Sequence, residues 1–227
     1  MKKFQFILLV VLTLGFVTKN FSQKGNYNIQ NGFAIGGGIT QFDILTDNFE
    51  TQKGDGWIGH MSATVDIPQK WYNISYGMQL SENTMSLNGL ASTISSNFEP
   101  VEYKVFAVQV AFLWHAKPFR TPHFTIDFGP MVQYNSDLEL SNDNQEDFII
   151  TDLDTVLAKD VKELNNFNVN GAVGATLGLG HFKVKAQYIY GFTNILGAFN
   201  DSDFNQTLNR QFKGNQSMLA FSAMITF

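Results

Sequence analysis

The sequence predicts an all-β fold, an eight-stranded antiparallel up-and-down β-barrel that crosses a membrane. Three observations predict it. Eight segments alternate between apolar and polar residues with period two, the connections between them alternate in length, and only 15% of the residues are charged. Soluble proteins carry roughly 25% charged residues. The composition therefore favours a protein whose outer surface meets lipid rather than water.

The first 22 residues are predicted to be a signal peptide. Lys2 and Lys3 form a basic start, residues 4–17 are almost wholly apolar, and residues 18–23 are mostly polar. The apolar run is too short for a lasting membrane anchor. We therefore expect a signal peptide over residues 1–22 and one barrel domain over residues 23–227. Removal of the signal peptide takes away three of the 15 basic residues and no acidic one. The mature chain then has 12 basic and 20 acidic residues, a formal net charge of −8. That balance argues against nucleic-acid binding.

Eight segments of the mature chain carry the alternation, and each is near or above the 9–11 residues of a tilted membrane-crossing strand. They are residues 32–44, 57–67, 71–81, 101–115, 123–135, 167–179, 182–194 and 217–227. In the seventh segment, Phe182, Val184 and Tyr188 share one face, whereas Lys183 and Lys185 share the other. We expect the apolar faces to point outward and the polar faces to line the lumen.

The connections between these segments are predicted to be short at one end of the barrel and long at the other. The long ones cover residues 46–56, 85–100, 141–166 and 196–215, and the short ones cover residues 68–70, 117–122 and 180–181. Outer-membrane barrels have this layout, with short periplasmic turns and long external loops. Trp71 and Trp114 lie near short turns and Trp57 lies near a long loop, which is typical of two interfacial aromatic girdles.

The third long connection contains apolar residues at helical spacing. They are Leu153, Val156, Leu157, Val161 and Leu164. Two alternatives stay open here, a short helix over the barrel mouth or a strand extension with a flexible tip. The acidic runs at 141–147 and 201–203 lack the spacing of an EF-hand loop, so we expect solvated loop there rather than a calcium site.

Four charged residues are expected on the lumen side, toward the short turns. They are Asp66, Asp127, Lys183 and Lys185. Because an unpaired buried charge is very costly, they are predicted to form a structural charge network. An ion or proton path is the alternative, but an eight-stranded barrel has an interior just filled by side chains.

No catalytic, cofactor-binding or metal-binding residues are expected. The chain has no cysteine, and it shows no Walker loop, zinc-ligand spacing or convincing hydrolase triad. His60 and Ser62 share one face. Eight-stranded lipid A deacylases use a His, a Ser and an acid at the barrel surface, but this pair faces the lumen and lacks the surrounding motif. We therefore expect a non-enzymatic protein without cofactors.

The last segment resembles the C-terminal assembly signal of bacterial outer-membrane proteins. Its outward set is Leu219, Phe221, Ala223, Ile225 and Phe227. The resemblance implies that Phe221, Ile225 and the terminal Phe227 are recognised by the barrel-insertion machinery.

The chain from Tyr27 onward resembles the PorT-like small outer-membrane β-barrel proteins of Bacteroidetes, on residues 32–42, residues 188–194 and the terminal Phe. This implies a barrel of OmpX/OmpA size in the outer membrane. One member type acts in type IX secretion, but no functional residue matches, so that role is not carried over.

The function these features favour is that of a non-enzymatic outer-membrane barrel in the cell envelope. Its long loops would serve surface binding, envelope integrity or a larger complex. The expected partners are outer-membrane lipid, the insertion machinery and other envelope proteins, without nucleic acid. A lipid-modifying enzyme would need a polar triad on the lipid face, and a narrow channel would need an unplugged lumen. A soluble secreted lipocalin-like barrel would have the reverse polarity, apolar inside and polar outside.

Overall fold

The computed structural model of the chain describes residues 30–67, 70–92, 97–153, 156–208 and 210–227. The predicted signal peptide, residues 1–22, lies outside the described residues, and so does the predicted start of the barrel domain at residue 23. Among the described residues, no helix has the length and apolarity that a bilayer crossing requires.

The described chain is built from strands and a few short helical turns. In chain order, the strands are β1 (Gln30–Thr46), β2 (Thr51–Asp66), β3 (Tyr72–Leu90), β4 (Glu99–Ala116), β5 (Phe124–Asn135), β6 (Glu139–Leu140), β7 (Ile149–Ile150), β8 (Phe167–Leu179), β9 (Phe182–Gly191) and β10 (Gly214–Thr226). The helix α1 covers Asp203–Leu208, and 3-10 turns cover Asp143–Gln145, Thr151–Leu153, Ala158–Asp160 and Gly197–Asn200.

Eight long strands close into a ring. Strands β1–β5 and β8–β10 each pair antiparallel with the neighbouring long strand in the chain, and β10 returns to pair with β1. The closing register runs from Ala34 opposite Thr226 to Thr46 opposite Gly214. The short strands β6 and β7 extend the pairing of β4 and β3 at the long-loop end. The predicted eight-stranded antiparallel up-and-down barrel is confirmed.

The two faces of the barrel wall have opposite chemistry. Large apolar side chains stand exposed on the outside, among them Tyr76 at 61%, Val110 at 58% and Val173 at 52% exposure. The lumen side carries buried polar side chains such as Gln109 and Asn170. The apolar outer face is the predicted one, and it is the reverse of the polar exterior that the lipocalin-like alternative requires. The inner face is polar in the middle of the lumen and apolar at the long-loop end.

The interior is layered along the barrel axis. At the long-loop end, inward side chains of the strands and side chains of the connections form one apolar core, which we call the cap core. It includes Phe42, Ile44, Leu87, Tyr103, Leu153, Val161, Leu196 and Phe212. Below it lie buried amides, and toward the short turns lie a cavity and most of the lumen charges. The cap core is therefore where the fold buries most of its large apolar side chains.

The first two predicted long loops are mostly strand. The predicted loop 46–56 is reduced to a connection at residues 47–50, because β1 goes on pairing with β10 up to Thr46 and β2 pairs with β3 from Thr51. Strands β3 and β4 likewise run on to Leu90 and from Glu99. The reason is burial, since Met85 and Leu87 are each 1% exposed in the cap core. Long connections remain between β5 and β8 and between β9 and β10.

In the helically spaced segment 151–164, the described residues 151–153 and 156–164 form neither of the two alternatives. They are irregular chain with 3-10 turns at Thr151–Leu153 and Ala158–Asp160. Its apolar side chains pack downward, and Leu153 and Val161 are both fully buried. Burial in the cap core therefore explains the apolar spacing that resembles a helix.

Gly38 tests the close packing at the closing seam. A Cβ at this position would overlap the backbone of Phe221 and Ser222, whereas a Cβ at Gly59 would meet only the Trp57 ring, at 3.8 Å. We expect Gly38→Ala to lower the free energy of unfolding by roughly 1–3 kcal/mol, because overpacking forces the backbone to shift. Gly59→Ala should change it by less than about 0.5 kcal/mol. Urea titration of the refolded barrels measures both, and equal values for the two variants would contradict the packing at the seam.

Candidate functional site

A layer of hydrogen-bonded amides crosses the middle of the lumen. Its centre is Gln133, which donates to Gln216 Oε1 at 2.6 Å and accepts from Gln109 at 2.5 Å and Asn170 at 2.8 Å. These side chains come from β4, β5, β8 and β10. Burying an amide is costly unless it is hydrogen bonded, so the bonds across the lumen hold the walls together. The layer also separates the cap core from the space below.

A cavity of about 390 Å³ lies between the amide layer and the short turns. Ser75, His60, Leu113 and Lys185 line its wall, and turn residues such as His181 line the end nearest the short connections. The expectation that side chains fill the whole interior is therefore wrong at this end. A space of this size is within the range of small-molecule sites.

Asp66 is paired through a residue that the sequence analysis did not single out. Lys117 Nζ lies 3.3 Å from Asp66 Oδ1 and donates to the Ile67 carbonyl oxygen at 3.0 Å. The Lys117 side chain is 3% exposed, so its charge is compensated where it is buried. Lys117 comes from the short turn after β4, whereas the prediction considered only strand positions.

Asp127 is the most enclosed of the four predicted charges, at 1% exposure. Its carboxylate accepts hydrogen bonds from Thr125 Oγ1 at 2.6 Å, Thr176 Oγ1 at 2.5 Å and His115 Nδ1 at 2.7 Å. Lys185 is buried nearby and interacts electrostatically with Asp127. The short side-chain contacts of the two acids nevertheless go to other residues, from Asp127 to His115 and from Asp66 to Lys117. Lys183 and Lys185 line the cavity without a direct ion pair to either acid among the described residues.

His115 links Asp127 to Ser75. The Ser75 Oγ atom lies 2.6 Å from His115 Nε2, and His115 Nδ1 lies 2.7 Å from Asp127 Oδ1. A carboxylate can only accept, so Nδ1 donates to Asp127, and in the neutral imidazole Nε2 accepts the hydrogen bond that the Ser75 hydroxyl donates. The three side chains come from the neighbouring strands β3, β4 and β5, near their short-turn ends. Ser75 and His115 line the cavity, with Asp127 behind them.

Sequence reasoning missed this chain of three residues because its parts were read strand by strand. Ser75 belongs to the polar face of the third segment, and continued alternation beyond Leu113 would have placed His115 on the lumen side. Their meeting depends on register, which pairs Asn73 with His115 and His115 with Asp127. Alternation along one strand carries no information about the residue opposite it.

The predicted assembly residues all face outward on or just beyond β10. Phe221, Ile225 and Phe227 are 51%, 50% and 71% exposed. The Phe227 backbone N–H donates to the Phe33 carbonyl oxygen at 2.7 Å, so the chain terminus belongs to the closing seam. Recognition of these residues by an insertion machinery stays a prediction.

The connections at the long-loop end are tied to each other and to the barrel. The Tyr103 hydroxyl donates to the Ala158 carbonyl oxygen at 3.0 Å. The Asp152 carboxylate accepts from the Glu50 backbone N–H at 2.8 Å, and the Asp152 backbone carbonyl oxygen accepts from Arg210 Nη1, also at 2.8 Å. Four aromatic rings pack together beneath, with centroids 5.4–6.5 Å apart: Phe49, Phe199, Phe204 and Phe212. The described parts of three connections therefore form one folded cap over the lumen.

The outer surface of this cap also carries an exposed ion pair. Lys159 Nζ donates to Asp147 Oδ1 at 2.8 Å, and the Asp147 carboxylate raises the pKa of Lys159 above its usual value. Both side chains belong to the connection between β5 and β8. Acidic residues of the run 141–147 therefore make contacts within the cap.

Comparison with known proteins gives a likeness of fold. No family model matches the chain, and no curated protein matches it. Neisserial surface protein A is a similar solved structure, with 10% identity and a TM-score of 0.48 over 86% of this chain and 97% of that chain. The outer-membrane protein OprG from Pseudomonas aeruginosa is another, with 9% identity and a TM-score of 0.47 over 88% of this chain and 98% of that chain. The attachment invasion locus protein Ail of Yersinia pestis matches at 9% identity and a TM-score of 0.44, covering 87% and 99%. Likeness at this level indicates nothing about activity, substrate or partner.

Phe212 tests whether the cap is a packed unit. It is fully buried among the aromatic rings of the cap. We expect Phe212→Ala to weaken the cap by roughly 3–5 kcal/mol, because it leaves a cavity in a close-packed core. Limited proteolysis of the folded barrel should then cut the cap connections much faster than in the unchanged protein. Phe98→Ala is the control, since Phe98 is 62% exposed in the connection between β3 and β4. Equal protection of the two variants would contradict the packing of the cap.

Proposed function

We propose that the chain is an integral outer-membrane protein, and the observation that carries the proposal is the apolar outer belt. Every long strand contributes exposed large apolar side chains to it. Leaving apolar surface in water costs about 25 cal/mol per Å², and monomeric soluble proteins rarely expose contiguous patches above a few hundred Å². A belt around a whole barrel is compatible with lipid and very unfavourable in water.

The distribution of charge supports the same proposal. The outward positions of β5, β8, β9 and β10 carry no acid or base among the described residues. The outward charges of β4, Glu102 and Lys104, lie at its long-loop end, outside the span from Phe106 to Trp114. A charge at the centre of a bilayer is unfavourable, so charges at the ends mark the boundaries of the lipid-facing zone.

We propose that the short turns face the periplasm and the capped end faces the cell exterior. Outer-membrane barrels have short periplasmic turns, and an even number of crossings returns both chain ends to the same side. Phe227 and the start of β1 lie together at the short-turn end. This orientation fits an exported chain that enters the membrane from the periplasm.

The capped end supports a role in binding at the cell surface rather than in the diffusion of solutes through the lumen. The cap core and the amide layer fill the lumen at the capped end and in the middle over the described residues, which is unfavourable for the narrow-channel alternative. A folded cap presents fixed side chains, so it suits surface binding, envelope integrity or docking within a larger complex. Membership of the PorT-like family stays part of this proposal, supported by the residues quoted for it.

The lipid-modifying alternative would need its reactive group on the belt. The hydrogen-bonded Ser, His and acid of the described residues face the lumen instead. The outer belt therefore favours contact with lipid, but this reactive group does not lie on it.

The location is tested by fractionation and by gel mobility. We expect the protein to be recovered with outer membranes and to migrate differently when boiled and unboiled, because a closed barrel resists detergent until heated. Recovery only as a soluble periplasmic protein would overturn the proposal.

Val110 tests the lipid contact at one residue. It is exposed on the outward face of β4 within the apolar span. In lipid vesicles, Val110→Lys should lower the free energy of unfolding by roughly 2–4 kcal/mol, because the ammonium group is placed in hydrocarbon. Phe98→Lys is the matched control, an exposed apolar residue of a connection outside the belt, and should have little effect. Urea titration followed by tryptophan fluorescence measures both, and a neutral Val110→Lys would contradict the belt.

A further inference from the structure

The side chains of Ser75, His115 and Asp127 have the connectivity of a nucleophile, a base and an orienting acid. We propose that they form a hydrolytic site that cleaves small carboxylic esters reaching the lumen from the short-turn end. The proposal goes beyond the surface role above and departs from the expectation of a non-enzymatic protein. It does not depend on which face of the membrane the short turns meet.

The geometry matches what a serine nucleophile requires. The hydroxyl must lie in hydrogen-bond reach of the base, and the acid must hold the other ring nitrogen. Both distances satisfy this, at 2.6 Å from Ser75 Oγ to His115 Nε2 and 2.7 Å from His115 Nδ1 to Asp127 Oδ1. The order of the ring nitrogens is also the one that catalysis needs, with the basic nitrogen toward the serine.

Two threonine hydroxyl groups hold the Asp127 carboxylate in place. Thr125 and Thr176 donate to the two oxygens of Asp127, one to each. Asp127 is therefore held by residues of its own strand and of β8, and its remaining contact orients the imidazole of His115. Residues that lock an orienting group in this way are typical of preorganised sites. Asp127 is a positioning residue here, whereas Ser75 and His115 would touch substrate.

The cavity supplies the second independent observation. Ser75 and His115 line a space of about 390 Å³, whereas a purely structural network would be expected to fill its surroundings. The space is large enough for a short ester but it lies inside the barrel wall, away from the outer belt. Substrates are therefore expected to be small and water-soluble, and the acyl chains of membrane lipids are excluded.

Two potential hydrogen-bond donors, Asn73 and Lys185, line the same cavity as Ser75. Asn73 lies on the same face of β3 as Ser75, and its Oδ1 accepts from the Ile67 backbone N–H at 3.2 Å, so its NH₂ group remains as a donor. Lys185 is buried on the cavity wall. Donors that reach a developing oxyanion contribute strongly to serine hydrolysis. We assign this role to Asn73 and Lys185.

The reaction proceeds in two balanced steps with water as co-reactant. In the first, Ser75 Oγ bonds to the ester carbonyl carbon, its proton passes to His115 Nε2, and that proton then leaves with the alcohol as the carbon–oxygen bond breaks. In the second, water attacks the acyl-serine, again giving a proton to His115. The carboxylic acid departs, and the proton returns to Ser75 Oγ.

The test is covalent labelling of the refolded barrel with diisopropyl fluorophosphate, followed by peptide mapping. Ser75 Oγ bonds to phosphorus and fluoride leaves, so an activated serine is marked without any knowledge of the natural ester. We expect Ser75 to be labelled and p-nitrophenyl acetate to be hydrolysed. His115→Gln should slow labelling by roughly 100-fold or more, because general-base assistance is worth about that much.

Controls separate activation from simple exposure of a hydroxyl. Ser62 lines the same cavity but is not part of the hydrogen-bonded Ser75–His115–Asp127 arrangement. Ser62→Ala should therefore leave the labelling of Ser75 unchanged, and Ser62 itself should stay unlabelled in the unchanged protein. Asp127→Asn should slow labelling in barrels that keep the heat-dependent gel shift, since the wrong imidazole tautomer would face Ser75. An unlabelled Ser75 in the folded barrel, or labelling that His115→Gln leaves unchanged, would overturn the proposal.

Discussion

Closure of the β1–β10 seam is the constraint on which the rest of the structure depends. Once β10 pairs with β1, every long strand has a partner on both sides, and the ladders of the wall bond backbone polar groups within the ring. The side chains are then free to point apolar groups outward. A gap in the seam would leave unpaired N–H and C=O groups in the same zone as the apolar belt, where neither lipid nor a partner strand could satisfy them.

Closure of a narrow ring also dictates what the lumen can contain. The inward faces must fill a small interior, and the polar ones must bond across it. The lumen does this differently at its two ends. Apolar residues such as Phe42 and Leu87 pack with the connections at the capped end, whereas amides centred on Gln133 bond across the middle. Open space lies toward the short turns, where Ser75, His115 and Lys185 are among the side chains that line it.

The outward and inward faces could be predicted from the sequence because a strand has a strict period of two. Phe112, Phe128, Tyr188 and Phe221 lie outward as that period requires. The cap could not be predicted in the same way, since its residues come from connections without a period. Leu153 and Val161 have helical spacing, but they are buried from irregular chain because the barrel mouth, rather than a helix axis, determines which of them face inward.

The lumen charges were likewise predictable only in part from the sequence. Asp127 and Lys185 could be assigned to the lumen from alternation, and the structure places both there. Their partners could not, because those depend on the register between strands and on a turn residue. The register brings His115 opposite Asp127, and Lys117 reaches Asp66 from the turn after β4.

The central claim is that the outer surface of the barrel contacts lipid, and tryptophan quenching tests it most directly. Trp114 lies on the outward face of β4, stacked on Phe128 with ring centroids 6.0 Å apart. A barrel in which Trp57 and Trp71 are replaced by Phe leaves Trp114 as the only indole. In vesicles of lipids brominated on the acyl chain, its fluorescence should be strongly quenched, while aqueous iodide should have little effect. Strong quenching by iodide and none by the brominated chains would contradict the account.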